Sequence, residues 1–316
     1  MYFQAKPGRP TALVDADAAT ETATAYNQVG DDYLTYADGD SQDLYAFDAQ
    51  YGYCDRQVWQ IVERKLLQRR AAGAHSIRVL DAGCGPGTWL RRVVTHARAL
   101  GFARIEARGF DVARAQIQHA RLLARNLSQM PEVNLAFEVG DLTERLPEAN
   151  ATVDLCLCLY GVLNHLPVPR LAETVAELAR VTAGHFITTV RAVGSTPSIF
   201  VDSLDKALRF RLDHKHERCD VQLRDGRRIS FASHLFTASE LRRLFADVLE
   251  IEDLRGLDLF HSRFAPDSRW NPASLAADRR LYNELARLES AYATDPNFID
   301  RASHLLLVAR PRHAEA

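Results

Sequence analysis

The chain has 316 residues, 47% of them hydrophobic and 25% charged, with a formal net charge of -2. That length allows one large domain or a core with additions, and a near-neutral charge gives no reason to expect a nucleic-acid or membrane partner. No apolar run approaches the roughly 20 residues needed to span a bilayer, and the N-terminus lacks the basic-then-apolar pattern of a signal peptide. The five cysteines are scattered without CxxC spacing, so reduced thiols in a cytoplasmic protein are expected rather than a disulfide framework or zinc ribbon.

In chain order, residues 1–70 read as an N-terminal segment, with Met1-Tyr2-Phe3-Gln4 resembling a tag remnant. From Asp15 to Asp55 acidic residues far outnumber basic ones, and tyrosines recur at 26, 33, 36, 45, 51 and 53. From residue 71 a second unit begins. Short apolar runs at 77–82, 103–111, 133–141, 153–160 and 185–190 read as strands, and the segments between them carry apolar residues at helical spacing. Such alternation implies a parallel sheet covered by helices on both faces with right-handed crossovers. A helix over 238–248, a strand over 249–255 and a last strand over 303–311 bring the strands to seven.

Two long segments, 193–236 and 256–302, interrupt the pattern. The first contains a hairpin around Arg224-Asp225-Gly226-Arg227, where Asp-Gly suits a two-residue type I′ turn. The second carries Leu281, Leu285, Leu288 and Tyr292 at the spacing of an amphipathic helix.

The first strand runs into Val79-Leu80-Asp81-Ala82-Gly83-Cys84-Gly85-Pro86-Gly87-Thr88. A strand that ends in Gly-x-Gly-x-Gly and opens a helix brings backbone N–H groups close to a ligand, because glycine has no Cβ to hold it off. No lysine follows Gly87, so a phosphate-cradling nucleotide triphosphatase is disfavoured. A dinucleotide site prefers Gly-x-Gly-x-x-Gly, and Asp81 would repel a pyrophosphate but could accept from an ammonium group. Asp111 closes the second strand, where a carboxylate can take both ribose hydroxyls. Asp141 closes the third, where one can accept from an adenine amino group.

With these three acidic strand ends in register with the glycine turn, the chain resembles a class I S-adenosylmethionine-dependent methyltransferase over roughly residues 75–192. The resemblance implies a Rossmann-like α/β fold with a seven-stranded, mostly parallel sheet whose last strand is antiparallel, an N-terminal helical lid, and insertions after strands five and six. Strands five and six would then end, and strand seven begin, at the ligand edge, stacking both insertions above the cofactor.

The implied cofactor, S-adenosyl-L-methionine, leaves as S-adenosyl-L-homocysteine, and its expected contacts are Asp81, Ala82, Gly83, Cys84, Gly85, Gly87, Asp111, Val112, Asp141, Leu142, Leu159 and Tyr160. Tyr26 and Tyr33 are expected to close over it. The chemistry would be in-line displacement at a sulfonium methyl, which needs alignment, a dry cavity and, for some acceptors, a base, but no protein nucleophile or metal. His165, His234 and His261 are the candidate bases.

An enclosed site and an acidic lid favour a small-molecule acceptor over nucleic acid, in a monomer or homodimer. The Asn/Asp-Pro-Pro-aromatic motif of exocyclic-amino methyltransferases is missing at 159–162, which holds Leu159-Tyr160-Gly161-Val162. A tRNA or protein substrate, and a binding module without chemistry, stay as alternatives.

Overall fold

The computed structural model describes residues 11–29, 43–47, 51–195, 207–261 and 279–312. Tyr33 and Tyr36 lie outside these residues. A seven-stranded sheet forms the centre, with strand order β3-β2-β1-β4-β5-β10-β9. Its members are β1 (Ser76–Ala82), β2 (Arg104–Asp111), β3 (Val133–Val139), β4 (Val153–Cys158), β5 (Thr182–Arg191), β9 (Glu250–Leu257) and β10 (His304–Arg310). The five strands from β3 to β5 run parallel, and β10 is antiparallel to both β5 and β9.

Burial explains why the central strands are almost wholly apolar. Helices cover both faces, so β4 and β10 show no alternation: Cys156 and Cys158 sit among leucines with no exposure. Helices α2 (Gly52–Ala71), α3 (Thr88–Ala99) and α4 (Arg114–Leu123) lie on the side of the first core cluster. Helices α5 (Val168–Val181) and α6 (Ala238–Ala246) contribute to the second. Thr237 caps α6, its hydroxyl accepting from the Glu240 N–H. Among the described residues no helix is long and apolar enough to cross a membrane, and all five cysteines are free and buried.

The insertion after β5 holds more than a hairpin. β7 (Arg218–Leu223) and β8 (Arg228–Ala232) pair as expected, but β6 (Ala207–Asp213) joins them in a separate antiparallel sheet of three strands. The turn also differs from the type I′ expectation. Gly226 N–H closes on Leu223, Leu223 N–H donates to Arg227, and Gly226 has φ 90° while Asp225 is not among the positive-φ residues. That is a three-residue loop with a left-handed glycine, because a single left-handed residue satisfies the strand twist where type I′ would need two.

Helix α1 (Thr11–Val29) packs on this small sheet. Arg218 pairs with Glu21 at 2.9 Å, Arg227 donates to the Gln28 carbonyl, and Ala25 is buried against Cys219, Val221 and Phe231. On its other side Asn27 accepts the Ala115 N–H of α4 at 2.9 Å. Two of the basic residues of 206–228, Arg218 and Arg227, therefore tether α1. His214-Lys215-His216 forms an exposed turn.

Candidate active site

All three glycines of the first loop have left-handed backbones: φ is 75° at Gly83, 51° at Gly85 and 76° at Gly87. A side chain there would be strained, and at two of them there is also no room. A Cβ on Gly83 would lie 2.4 Å from Val162, and one on Gly87 would lie 2.7 Å from the Phe137 ring. Gly87→Ala is expected to cost about 1–2 kcal/mol in backbone strain alone and more through the Phe137 clash. A melting temperature and a cofactor affinity both equal to those of the wild type would refute this.

The loop opens onto a cleft of about 760 Å³, counting its mouth, at the C-terminal ends of β1 to β4. Gly83 and Gly85 form its floor. Asp111 and Val112, from the end of β2, and Asp141 and Leu142, beyond β3, form one side, and Leu159 and Tyr160, beyond β4, the other. Helix α1 lies across it with Ala19, Thr22 and Tyr26. Sequence reading missed Ala19, Thr22, Phe110, Gly140, Thr143, Val162, Leu166 and Pro167 among the lining residues. All but Gly140 carry no charge or glycine signal, and they reach the cleft because their elements pack around it.

The carboxylates are held in place by backbone and hydroxyl donors. Asp111 accepts the Gly85 N–H at 2.9 Å and the Ala113 N–H at 2.8 Å; burial raises its pKa and those two donors pull it back. Asp141 accepts the Thr143 N–H at 2.8 Å and hydroxyl at 2.9 Å. Asp81 lies behind the lining residues, 2% exposed, and its Oδ2 has no hydrogen-bond partner among the described residues. Burial, and then the charge of Asp111, push its pKa up to about 7. A buried carboxylate beside a second one is a place for a cation.

Four further expected contacts have different placements. Ala82, Cys84 and Gly87 are not part of the lining; Cys84 is buried with its N–H bonded to the Phe110 carbonyl, and Gly87 caps α3. Tyr33 lies outside the described residues.

The three candidate bases separate. His165 lines the cleft; its Nδ1 lies 2.8 Å from the Ala232 carbonyl of β8 and its Nε2 2.9 Å from the Tyr26 hydroxyl. The carbonyl can only accept, so Nδ1 carries the proton and Nε2 accepts from Tyr26. Desolvation holds its pKa down, at about 4. The ring is neutral at pH 7, and one side chain ties α1, the turn after β4 and the small sheet together.

His234 is not in the lining. Glu217 and Glu240 each approach one of its ring nitrogens at 2.8 Å, so it clasps β7–β8 to α6. His261 is fully buried against Tyr53, ring on ring at 4.0 Å, with neither nitrogen partnered among the described residues. Burial, then the Arg56 charge, push its pKa down to about 4. The insertion after β9 thus packs, where described, on the start of α2 rather than over the cleft. Helix α7 (Arg279–Tyr292) fastens it through Glu289, whose carboxylate accepts the N–H groups of Leu259, Phe260 and His261 at 3.0, 2.7 and 2.9 Å.

Six strands in one direction, a seventh antiparallel between the last two, a left-handed glycine loop after β1 and carboxylates past β2 and β3 together define the class I methyltransferase fold. Residues 79–185 match the family model described as "Methyltransferase domain", so this central part of the chain is a methyltransferase domain. No curated protein sequence matches the chain.

Solved structures of similar fold include that of the cyclase SpnF, with 18% identity, 94% of this chain and 98% of that one covered, and a TM-score of 0.55. The magnesium protoporphyrin IX methyltransferase ChlM from Synechocystis PCC 6803, with bound S-adenosylhomocysteine, is 15% identical, with 93% and 99% covered and a TM-score of 0.52. The PH0226 protein from Pyrococcus horikoshii OT3 is 17% identical, with 88% and 96% covered and a TM-score of 0.50.

Proposed function

We propose that the chain transfers the methyl group of S-adenosylmethionine to an oxygen, nitrogen or carbon atom of a small-molecule acceptor, in a cleft roofed by α1. The cofactor supplies an electrophilic methyl group on sulfonium sulfur. The residues fit it: Asp81 offers a buried anionic oxygen for the ammonium group, Asp111 accepts from the ribose hydroxyls and Asp141 from the adenine amino group. Leu142 and Leu159 give the base apolar faces. The observation that carries this reading is the row of three carboxylates along one sheet edge beneath a helix, which suits a cationic nucleoside.

What remains for the protein is alignment and, where the acceptor needs it, proton removal. His165 is placed for that role through Tyr26, whose hydroxyl donates to its neutral Nε2 at the cleft wall and can pass a proton on to it. His165→Ala is expected to lower turnover at least tenfold. His234→Ala is expected to leave turnover within about twofold while lowering the melting temperature, because it unclasps two glutamates. A normal rate in His165→Ala would remove the base.

The test begins with titration calorimetry of S-adenosylmethionine against NAD, where tight NAD binding without a response to S-adenosylmethionine would overturn the reading. It continues with phenols, amines and carboxylates as acceptors, reading S-adenosylhomocysteine release. A second reading, binding of the cofactor without methyl transfer, is kept because SpnF, of similar fold, is described as a cyclase. It predicts calorimetric binding but no S-adenosylhomocysteine release with any acceptor, tRNA and protein included.

A further inference from the structure

A second buried polar corner lies where α2 begins, β9 ends and β10 begins. Cys54 stands in the first turn of α2, Asp258 is the residue after β9, and His304 opens β10. A sulfur, a carboxylate oxygen and an imidazole nitrogen from these three residues all lie within 4.8 Å of one another. The residues are 0%, 0% and 3% exposed. Nδ1 of His304 has no hydrogen-bond partner among the described residues; its approach to Asp258 is 3.6 Å, longer than a hydrogen bond.

The backbone beside the cluster is held in place. Asp258 has φ 57°, a left-handed conformation that Asp adopts more readily than most non-glycine residues, and the Glu289 carboxylate fixes the turn just after it through three N–H groups. Tyr160 links the corner to the cleft: it is among the lining residues, and its hydroxyl stands 3.6 Å from Cys54 Sγ.

We propose that Cys54, Asp258 and His304 bind one divalent transition-metal ion of the zinc type. Sulfur with imidazole selects zinc over magnesium or calcium, which prefer all-oxygen sets. One thiolate, one carboxylate and one neutral imidazole balance a charge of two, so the loaded corner is neutral in a place where unbalanced charge is costly. Tetrahedral zinc holds its ligands roughly 3.3–3.8 Å apart, so side-chain movement of about 1 Å closes the site. Three protein ligands leave a fourth position for water or an acceptor heteroatom, as in catalytic zinc sites. The inference does not rest on methyl transfer, since ion uptake needs no cofactor.

The test adds Zn2+ to the chelator-treated full chain, with calorimetry and elemental analysis, and repeats it with Co2+ to read the absorption spectrum. The expected result is about one equivalent of tightly bound Zn2+, and a thiolate-to-cobalt charge-transfer band. Cys54→Ser, Asp258→Asn and His304→Gln are each expected to weaken uptake at least tenfold, and Cys54→Ser to abolish the band. A His214→Ala, His216→Ala double variant is expected to keep both.

Absence of uptake in the wild type, or uptake unchanged in Cys54→Ser and His304→Gln, would overturn the site. Should those variants fail to fold, the wild-type cobalt spectrum decides, and a spectrum without a thiolate band counts against it. S-adenosylmethionine binding, measured separately on the same samples, keeps failure of the metal site distinct from failure of the cofactor reading.

Discussion

Asp81→Asn is expected to bind S-adenosylmethionine ten- to a hundredfold more weakly at pH 8, about 1.5–3 kcal/mol, the usual worth of a hydrogen bond to a charged group. The pH dependence sharpens the test. In the folded chain burial and the neighbouring Asp111 raise the Asp81 pKa from 3.8 to about 7. A cationic ligand favours the ionised form, so affinity should rise as pH increases through 7 and fall about tenfold per unit below it. The asparagine amide cannot titrate, so the variant should show a flat profile between pH 6 and 7.5.

Stability moves the other way. A folded-state pKa above the unfolded value means that the folded chain binds the extra proton between pH 7 and 3.8. The fold is therefore favoured as pH falls through that window, and ionised Asp81 costs it about 4 kcal/mol above pH 7. The variant should melt higher than the cofactor-free wild type at pH 8 and much the same at pH 4. Calorimetric titrations and melting curves at these pH values check both halves; a variant that binds as tightly as the wild type, with the same slope, would show that Asp81 does not meet the ammonium group.

The second large effect concerns stability alone. Asp55 and Arg92 form an ion pair at 3.4 Å and are 4% and 2% exposed. Arg92 also donates to the Leu44 carbonyl and stands over the Phe47 and Trp89 rings, each 4.9 Å from its guanidinium carbon, while Asp55 accepts from the Tyr160 hydroxyl. Asp55→Ala leaves a buried guanidinium and a buried phenol without their acceptor. Breaking such a pair from one side costs about 3–5 kcal/mol, which for a chain of this size lowers the melting temperature by roughly 4–8 °C. Asp55→Asn, which keeps an acceptor for Tyr160, should lose less. Scanning calorimetry reads the result, and a drop of under 2 °C in the alanine variant would show that water reaches Arg92.

These two sites differ in how far they were legible. Asp81, Asp111 and Asp141 announce themselves, because each stands within a few residues of the end of an apolar run and the glycine spacing beside them is itself a local backbone requirement. The same holds for β1 to β5 and the helices between them, whose apolar period is set by which face is buried. The hairpin was legible as a hairpin, but its turn type was not, because turn type depends on how strand twist is met. Its partner β6 was missed although Leu208, Phe210 and Leu212 alternate there with Arg209, Arg211 and Asp213; which strand it would pair with is settled only by the tertiary structure.

Of the histidines, spacing alone could not choose. His165, His234 and His261 all follow strands or precede helices on the ligand side, yet the first lines the cleft, the second is held by two glutamates and the third is stacked on Tyr53. Their difference comes from partners 139, 17 and 208 positions away: Tyr26, Glu217 and Tyr53.

The sequence by itself determined the sheet, the glycine loop and the acidic strand ends, and with them the class of cofactor, because each is a requirement written within a dozen neighbouring residues. Only the tertiary structure decided that α1 roofs the cleft through Tyr26 and His165, that Arg92 is neutralised by Asp55, and that Cys54, Asp258 and His304 converge in one dry corner. Those depend on contacts between distant segments, whose cost and gain are settled by packing and desolvation rather than by any local pattern.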